Sequence, residues 1–461
     1  MDAPPPSSWP PPPAAEPRAA ASLPPHRWAD RAGRYLLISL FWLPVSLFWG
    51  AMLGQILPAR VLTFAGAAHS GTYLGIISLS GAAVGLLIQI IVGPVSDACA
   101  SRWGRRRPFL FGGTVLAIGA LIAFGYAGSF VGLVLAFVGI QLFLNIATGP
   151  YQALIPDHVP LNHQGAAAGY TGMMQLLGDA GGPIVAGLLL AHAKTPALQA
   201  HAVLSIMEGV GAALLLFMLL TVWLVPDAPA PLESRRPLAA SLRETYALHI
   251  PQNPDFYKLL VSRAVYNLGF YTALGFLLYY VRFALHTGDN YSKPLTLLQE
   301  IAIGGALLGT LPSGVLADRI GKKKVIYASS LFSVVAGAAF AFAPDVAFAS
   351  KMAFLFGIGF GMFRAVDWAF ACNLLPANGG AKFMGIWSLS TMVPQLLAVP
   401  LFGHFADVLN RTHGMGTGYR GAMLATLGYT LIGTLLISSV REKTAPSAPS
   451  PGQADTALVV P

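Results

Sequence analysis

Three ionisable side chains sit deep inside apolar stretches of this chain: Asp179, Arg364 and Asp367. On insertion scales an Asp or Arg at the centre of a bilayer-spanning helix costs about 2.5 kcal/mol or more, so each needs a reason to be there. A carboxylate shielded from water can alternate between a neutral and a charged form, which makes Asp179 and Asp367 the candidate proton-coupling residues. Arg364 can donate to solute oxygens. Asp367, three residues on and on the same helix face, can accept from solute hydroxyls. Each also has a plain structural reading. Asp179 is then an aspartate hydrogen-bonded to a neighbouring helix, and Arg364 with Asp367 a self-compensating ion pair.

Uncharged polar residues stand at similar depth: Gln89, Gln141, Asn145, Gln175, Asn267 and Gln395. An amide both donates and accepts, which suits a neutral polyol. Trp368 adds an aromatic face that can stack on a pyranose. Each amide taken singly also reads as interhelical glue. Arg263 is expected to snorkel from the end of its helix, and Glu208 and Glu300 to be solvated rim residues. No group of His and Cys residues suggests a metal, no Walker, G-x-S-x-G or H-E-x-x-H motif is present, and no cofactor is expected.

The elements that must carry these residues are evident from composition. Of 461 residues, 55% are hydrophobic and 10% charged, against roughly 25% charged in a soluble protein. From Tyr35 on, apolar runs long enough to cross a bilayer recur. Twelve are expected: 35–57, 71–95, 109–129, 131–155, 165–190, 203–225, 256–283, 294–316, 324–343, 346–374, 384–406 and 418–440. The fold class is therefore an all-α membrane protein, with twelve transmembrane helices in two pseudo-symmetric six-helix bundles. Residues 1–34 form a Pro-rich tail expected to be disordered, 35–225 the first bundle, 226–255 a central loop, 256–440 the second bundle, and 441–461 a second disordered tail.

The net charge of +9 is unevenly distributed. With loops assigned alternately to two sides, nineteen Lys and Arg fall with the N-terminal tail and seven on the other side. That bias predicts both termini in the cytoplasm and removes any need for a nucleic-acid partner. The expected partners are the bilayer, protons and a small solute. The chain is expected to be a monomer in a bacterial inner membrane.

A motif occurs twice, after the second span of each half. The first copy holds Gly93, Asp97, Arg102, Gly104, Arg105 and Arg106; the second holds Gly314, Asp318, Arg319, Gly321 and Lys322. A carboxylate at a helix end with basic partners reads either as a latch that can break or as a permanent cap. This repeat resembles the signature of the major facilitator superfamily, in which the Asp pairs with basic residues on the cytoplasmic face. The resemblance implies a transporter working by alternating access, with the solute near the midplane between the halves. The first copy carries an insertion, Ala98 to Ser101. With Gln89, Ile91, Val92, Ser96, Cys99, Arg107, Pro108 and Phe109 it is similar to plant sucrose transporters and the glycoside–pentoside–hexuronide symporters. Trp49, Pro58, Gly149-Pro150, Ala153-Leu154 and Asp157 extend that likeness. It implies proton-linked uptake of a neutral glycoside such as sucrose or maltose. Two positions depart from it: the group has an Asp where this chain has Gln141, and an Arg where it has Gln152.

A rival reading stays open. Gly169, Gly178, Gly182-Pro183 and Gly187 resemble the antiporter signature of drug exporters, which implies proton-coupled export of an amphipathic compound or metabolite.

Overall fold

Inside hydrocarbon every backbone N–H and C=O must be satisfied within the protein, and a lone apolar segment achieves this only as a helix. The computed structural model describes residues 31–159, 164–227, 229, 254–374 and 380–441, and all the regular structure in them is helical. The first half contains α1 (Arg31–Ser39), α2 (Trp42–Ala51), α3 (Leu57–Asp97), α4 (Arg107–Tyr126), α5 (Phe130–Gln152), α6 (Leu154–His158), α7 (Gln164–Ala191) and α8 (Pro196–Leu224). The second contains α9 (Pro254–Tyr279), α10 (Ser292–Ile320), α11 (Lys322–Ala341), α12 (Val346–Leu374), α13 (Gly380–His413) and α14 (Thr417–Ser438). Residues 1–30 and 442–461 of the expected tails and most of the expected central loop lie outside the described residues, and residues 31–34, assigned to the first tail, instead begin α1.

Eleven stretches among the described residues are long and apolar enough to cross a membrane. One of them, Trp42–Asp97, is 56 residues long and holds the first two expected spans. Gly66 divides it, with φ 65° and ψ 175°. A side chain there would be strained, so a glycine redirects the chain between the two spans. The protein is an integral membrane protein of two similar bundles.

The packing of the two halves repeats. In the first bundle α2 packs on α7, α3 on α5, α4 on α5 and α4 on α8; in the second α9 packs on α13, α10 on α12, α11 on α12 and α11 on α14. The tightest seam is α10 on α12. A Cβ added to Gly305 or Gly309 would strike the backbone of Phe354 or Ile358, and one added to Gly357 or Gly361 would strike that of Ala302 or Ala306. Without a hydrophobic drive between helices in lipid, such close backbone contact is what dispersion attraction needs.

The bundles meet along two seams, α3 with α13 and α7 with α10. All hydrogen bonds between bundles among the described residues lie on the face opposite the basic loops, here called the far face. Gln55 Nε2 donates to Gln299 Oε1 at 2.6 Å and to Thr296 Oγ1 at 3.2 Å. Tyr279 donates to the Pro58 carbonyl at 3.0 Å, and the Ser70 and Tyr419 hydroxyls are 2.9 Å apart. The backbones of Gly71 and Gly403 touch, as do Gly187 and the side chain of Thr296.

Helix periodicity shows how these seams continue. Gly169 stands about five turns from Gly187 on one face of α7, and Gly314 about five turns from Thr296 on one face of α10. Gly93 stands about six turns from Gly71 on α3. A Cβ at Gly93, Gly169 or Gly314 would have nothing within 4 Å. Among the described residues, seams that are closed at the far face are thus unpartnered at these positions near the basic loops, and the cleft between the bundles opens toward that side.

The seam predicts a sharp contrast between neighbours. Gly305→Val should lower stability by about 1–3 kcal/mol through overpacking. Gly304→Val, one residue away in open space, should leave the thermal midpoint of the detergent-purified protein nearly unchanged.

Candidate functional site

A pocket lies where the two bundles part, lined on its polar side by Ser78 and Gln141 from the first half and Tyr271 and Gln395 from the second. Leu53, Leu57, Leu74, Phe137, Leu274 and Val399 supply its apolar walls. Gln141 and Asn145 act as a unit: Asn145 Nδ2 donates to the Gln141 carbonyl at 2.7 Å and to its Oε1 at 3.2 Å. Gly81 and Gly85 of α3 let that pair approach, since a Cβ at either would meet the Gln141 side chain. Two expected amides, Gln141 and Gln395, therefore line the pocket, with Asn145 behind the first. Gln89 and Gln175 are half-buried on α3 and α7, outside the pocket lining. Asn267 is committed elsewhere: its Nδ2 donates to the Ser390 carbonyl at 2.9 Å, tying α9 to α13. The side chain of Trp368 lies outside the described residues.

The charges pair differently from the expectation. Asp367 is 2% exposed, and its ion pair is with Arg263, Nη1 to Oδ2 at 3.0 Å. Arg263 does not snorkel. It stacks 4.3 Å over the Trp387 ring and donates from Nη2 to Thr391 Oγ1 at 3.1 Å. Two groups of α13, Trp387 and Thr391, thus hold the α9 cation that is ion-paired with Asp367. Arg364 is left exposed in the cleft. Its charge acts on Asp179 of the other bundle, which also has Ser46 of α2 as a partner. Tyr271 stands among Arg364, Arg263 and Asp179, which connects the pocket to these charges. Glu300 departs from the expected rim position, because its Oε1 is shielded from solvent and has no hydrogen-bond partner. Glu208 is exposed on α8.

The local sequence of α7 explains how Asp179 is presented. Pro183 lacks an N–H, so the Asp179 carbonyl one turn earlier loses its helical partner. Gly178 and Gly182 have no side chains to keep α2 away, and α2 lies directly against them through Leu43, Ser46, Leu47 and Ala51.

At the basic-loop face Arg106 is the hub. It is 4% exposed and contacts Asp97 Oδ1 at 2.5 Å, Asp157 Oδ2 at 3.1 Å and the Ser96 hydroxyl. Arg105 adds a second contact to Asp157 at 2.5 Å. Asp227, which the sequence did not single out, accepts from the backbone N–H of Arg106 at 2.6 Å and Arg107 at 2.9 Å, capping α4. Gly104 has φ 107°, and a Cβ there would strike the Asp227 carboxylate. The whole network belongs to the first bundle, and the Asp97 side chain remains 60% exposed. Arg102 is exposed. In the second copy Gly321 turns the chain between α10 and α11 with φ 96°, Arg319 is exposed and Lys322 half-buried. The Asp318 side chain lies outside the described residues. Among the described residues no His, Cys, Asp and Glu cluster could hold a metal.

Comparison with known proteins adds three findings. The sequence pattern described as Major Facilitator Superfamily matches residues 51–392 and 301–461. The chain is 32% identical over 111 residues to a niacin transporter of Acinetobacter baylyi (23% of this chain, 25% of the relative). It is also 32% identical over 101 residues to a sucrose transport protein of Arabidopsis thaliana (18% of this chain, 20% of the relative). These matches thus span a quarter or less of the relatives' own length. In fold, it resembles a bacterial homologue of the human lysosomal transporter Spinster, with TM-score 0.70 and 16% identity over 89% of this chain and 97% of that one.

The observed pairing makes a prediction that the expected one does not. Arg263→Met leaves Asp367 buried and uncompensated and should cost about 3–5 kcal/mol. Adding Asp367→Asn should recover most of that loss. Arg364→Met should change the thermal midpoint little. A large loss on Arg364→Met with none on Arg263→Met would restore the Arg364–Asp367 pair.

Proposed function

The chain belongs to the Major Facilitator Superfamily, and from that premise we propose that this transporter carries a neutral glycoside, sucrose- or maltose-like, coupled to protons. The observation that carries the proposal is the chemistry of the pocket lining. Its polar groups are a hydroxyl, two amides and a phenol, contributed by both bundles, and none of them is charged. Such a set donates to and accepts from sugar hydroxyls without demanding a counter-charge. Phe137 and Tyr271 supply aromatic surface beside it. The likeness of residues 89–109 to sucrose porters supports the same solute class.

Coupling is assigned to Asp179, with Asp367 as a second proton site. Asp179 belongs to the first bundle and Arg364, whose charge it feels, to the second. Loading a proton on Asp179 removes an attraction between bundles, and that is the kind of differential interaction a conformational equilibrium responds to. The basic-loop face is read as cytoplasmic from the Lys and Arg bias, which makes the observed cleft inward-open in a bacterial inner membrane. The exposed Asp97 carboxylate is then available to the second bundle when the cleft closes. The exporter reading rested on Gly169, Gly178, Gly182-Pro183 and Gly187. Close packing of α7 against α2 accounts for Gly178 and Gly182 without an export role, and the approach of Thr296 accounts for Gly187.

Counterflow in proteoliposomes tests the solute. A panel of disaccharides, nicotinate and cationic dyes should show exchange of a disaccharide. Dye extrusion or nicotinate exchange without sugar exchange would overturn the assignment. With the sugar identified, Asp179→Asn should abolish accumulation driven by a pH gradient while sparing exchange. Undiminished accumulation would make Asp179 structural.

A further inference from the structure

One buried carboxylate takes no part in the pocket, the charge pairs or the repeated motif. Asp407, near the far-face end of α13, is fully buried at 0% exposure. Among the described residues it has no cationic partner. Its compensation comes from the other bundle: Gly71 N donates to Oδ1 at 3.0 Å, Thr72 N to Oδ2 at 2.7 Å and the Thr72 hydroxyl to Oδ2 at 2.6 Å. These donors lie close after the break at Gly66, toward the positive end of that helical segment. Gly71 and Gly403 bring the two backbones together so that the carboxylate can reach. Tyr279 and Tyr419 flank it, with ring centroids 5.3 Å apart, and each spends its hydroxyl on the first bundle, at Pro58 and Ser70.

We infer that Asp407 is the latch of the far-face gate. Charge-assisted hydrogen bonds are roughly twice as strong as neutral ones, and here three converge on one carboxylate across a seam between bundles. Separation of α3 from α13 at the far face breaks all three together and exposes the carboxylate to water. Their strength therefore sets the ratio of far-closed to far-open states. Asn410, three residues on in α13, makes the contrast. Its Oδ1 accepts from Gly416 N at 3.0 Å and Gly418 N at 2.8 Å, both in its own bundle. It stabilises the bundle equally in either state. The inference holds whatever solute or ion is carried.

Electron–electron distance measurement tests it in lipid nanodiscs, on the full chain with Cys99 and Cys372 replaced by Ala. Spin labels at Ala68→Cys and Met415→Cys, both exposed positions at the far face, report the separation of α3 from the α13–α14 corner. The parent should show a short, narrow distribution. Asp407→Asn should raise the ratio of the long-distance to the short-distance population by about tenfold or more, the loss expected for hydrogen bonds to a charged group. Thr72→Val, which removes the hydroxyl donor alone, should shift it in the same direction by less. Asn410→Ala should lower the thermal midpoint without moving the distribution. If Asp407→Asn behaves like Asn410→Ala, Asp407 is a structural cap and the latch is overturned. Should Asp407→Asn fail to fold, an unchanged distribution in Thr72→Val overturns it as well.

Discussion

A charge held away from water inside a membrane must be compensated by the protein, and the architecture follows from how that is done. Arg263 compensates Asp367, and Trp387 and Thr391 in turn hold Arg263. Arg106 gathers Asp97 and Asp157. Arg60 donates to the Ala127 carbonyl at 2.5 Å, and Arg420 to those of Ala341 and Ala284, both at 2.9 Å, so two cations counted with the far side serve as helix C-terminal caps. Each of these partnerships lies within one bundle and survives a rigid movement of the bundles. Asp407 departs from that pattern, because its partners lie across the seam.

The division between contacts within and between bundles gives the molecule its moving parts. Within bundles, glycine seams such as Gly305 and Gly309 against Gly357 and Gly361 bring backbones into contact and fix each unit. Between bundles, backbones touch at Gly71 and Gly403, and the far-face hydrogen bonds come from amides, hydroxyls and one carboxylate, which water can replace when the seam opens. On the basic-loop side the same helices carry glycines with open space around them. The pocket of Ser78, Gln141, Tyr271 and Gln395 lies between these two regions. A solute bound there would touch both bundles, as the proposed alternating access requires.

Much of this was legible in the chain before any coordinates. The spans are long and apolar, so their number and helical nature are dictated by the solvent rather than by neighbours. The two copies of the basic-loop motif located equivalent positions in the halves. The polar set was legible as a class, since few polar residues occur at mid-helix depth, but their partners were not. Arg364 and Asp367 are three apart, and helix spacing alone pairs them. The structure pairs Asp367 with Arg263, about a hundred residues away in sequence. Asn267 looked equal to Gln395, yet one is bonded to a backbone carbonyl and the other lines the pocket.

Composition, run length and the distribution of Lys and Arg determined that this is a helical membrane protein of two similar halves, because those features are properties of a segment in its solvent. Tertiary structure alone decided which carboxylate meets which cation, which side of the cleft is open, and that Asp407 bonds across the seam. The physical reason is that a side chain's periodicity sets the face it occupies on its own helix. What stands opposite that face depends on how helices distant in sequence cross.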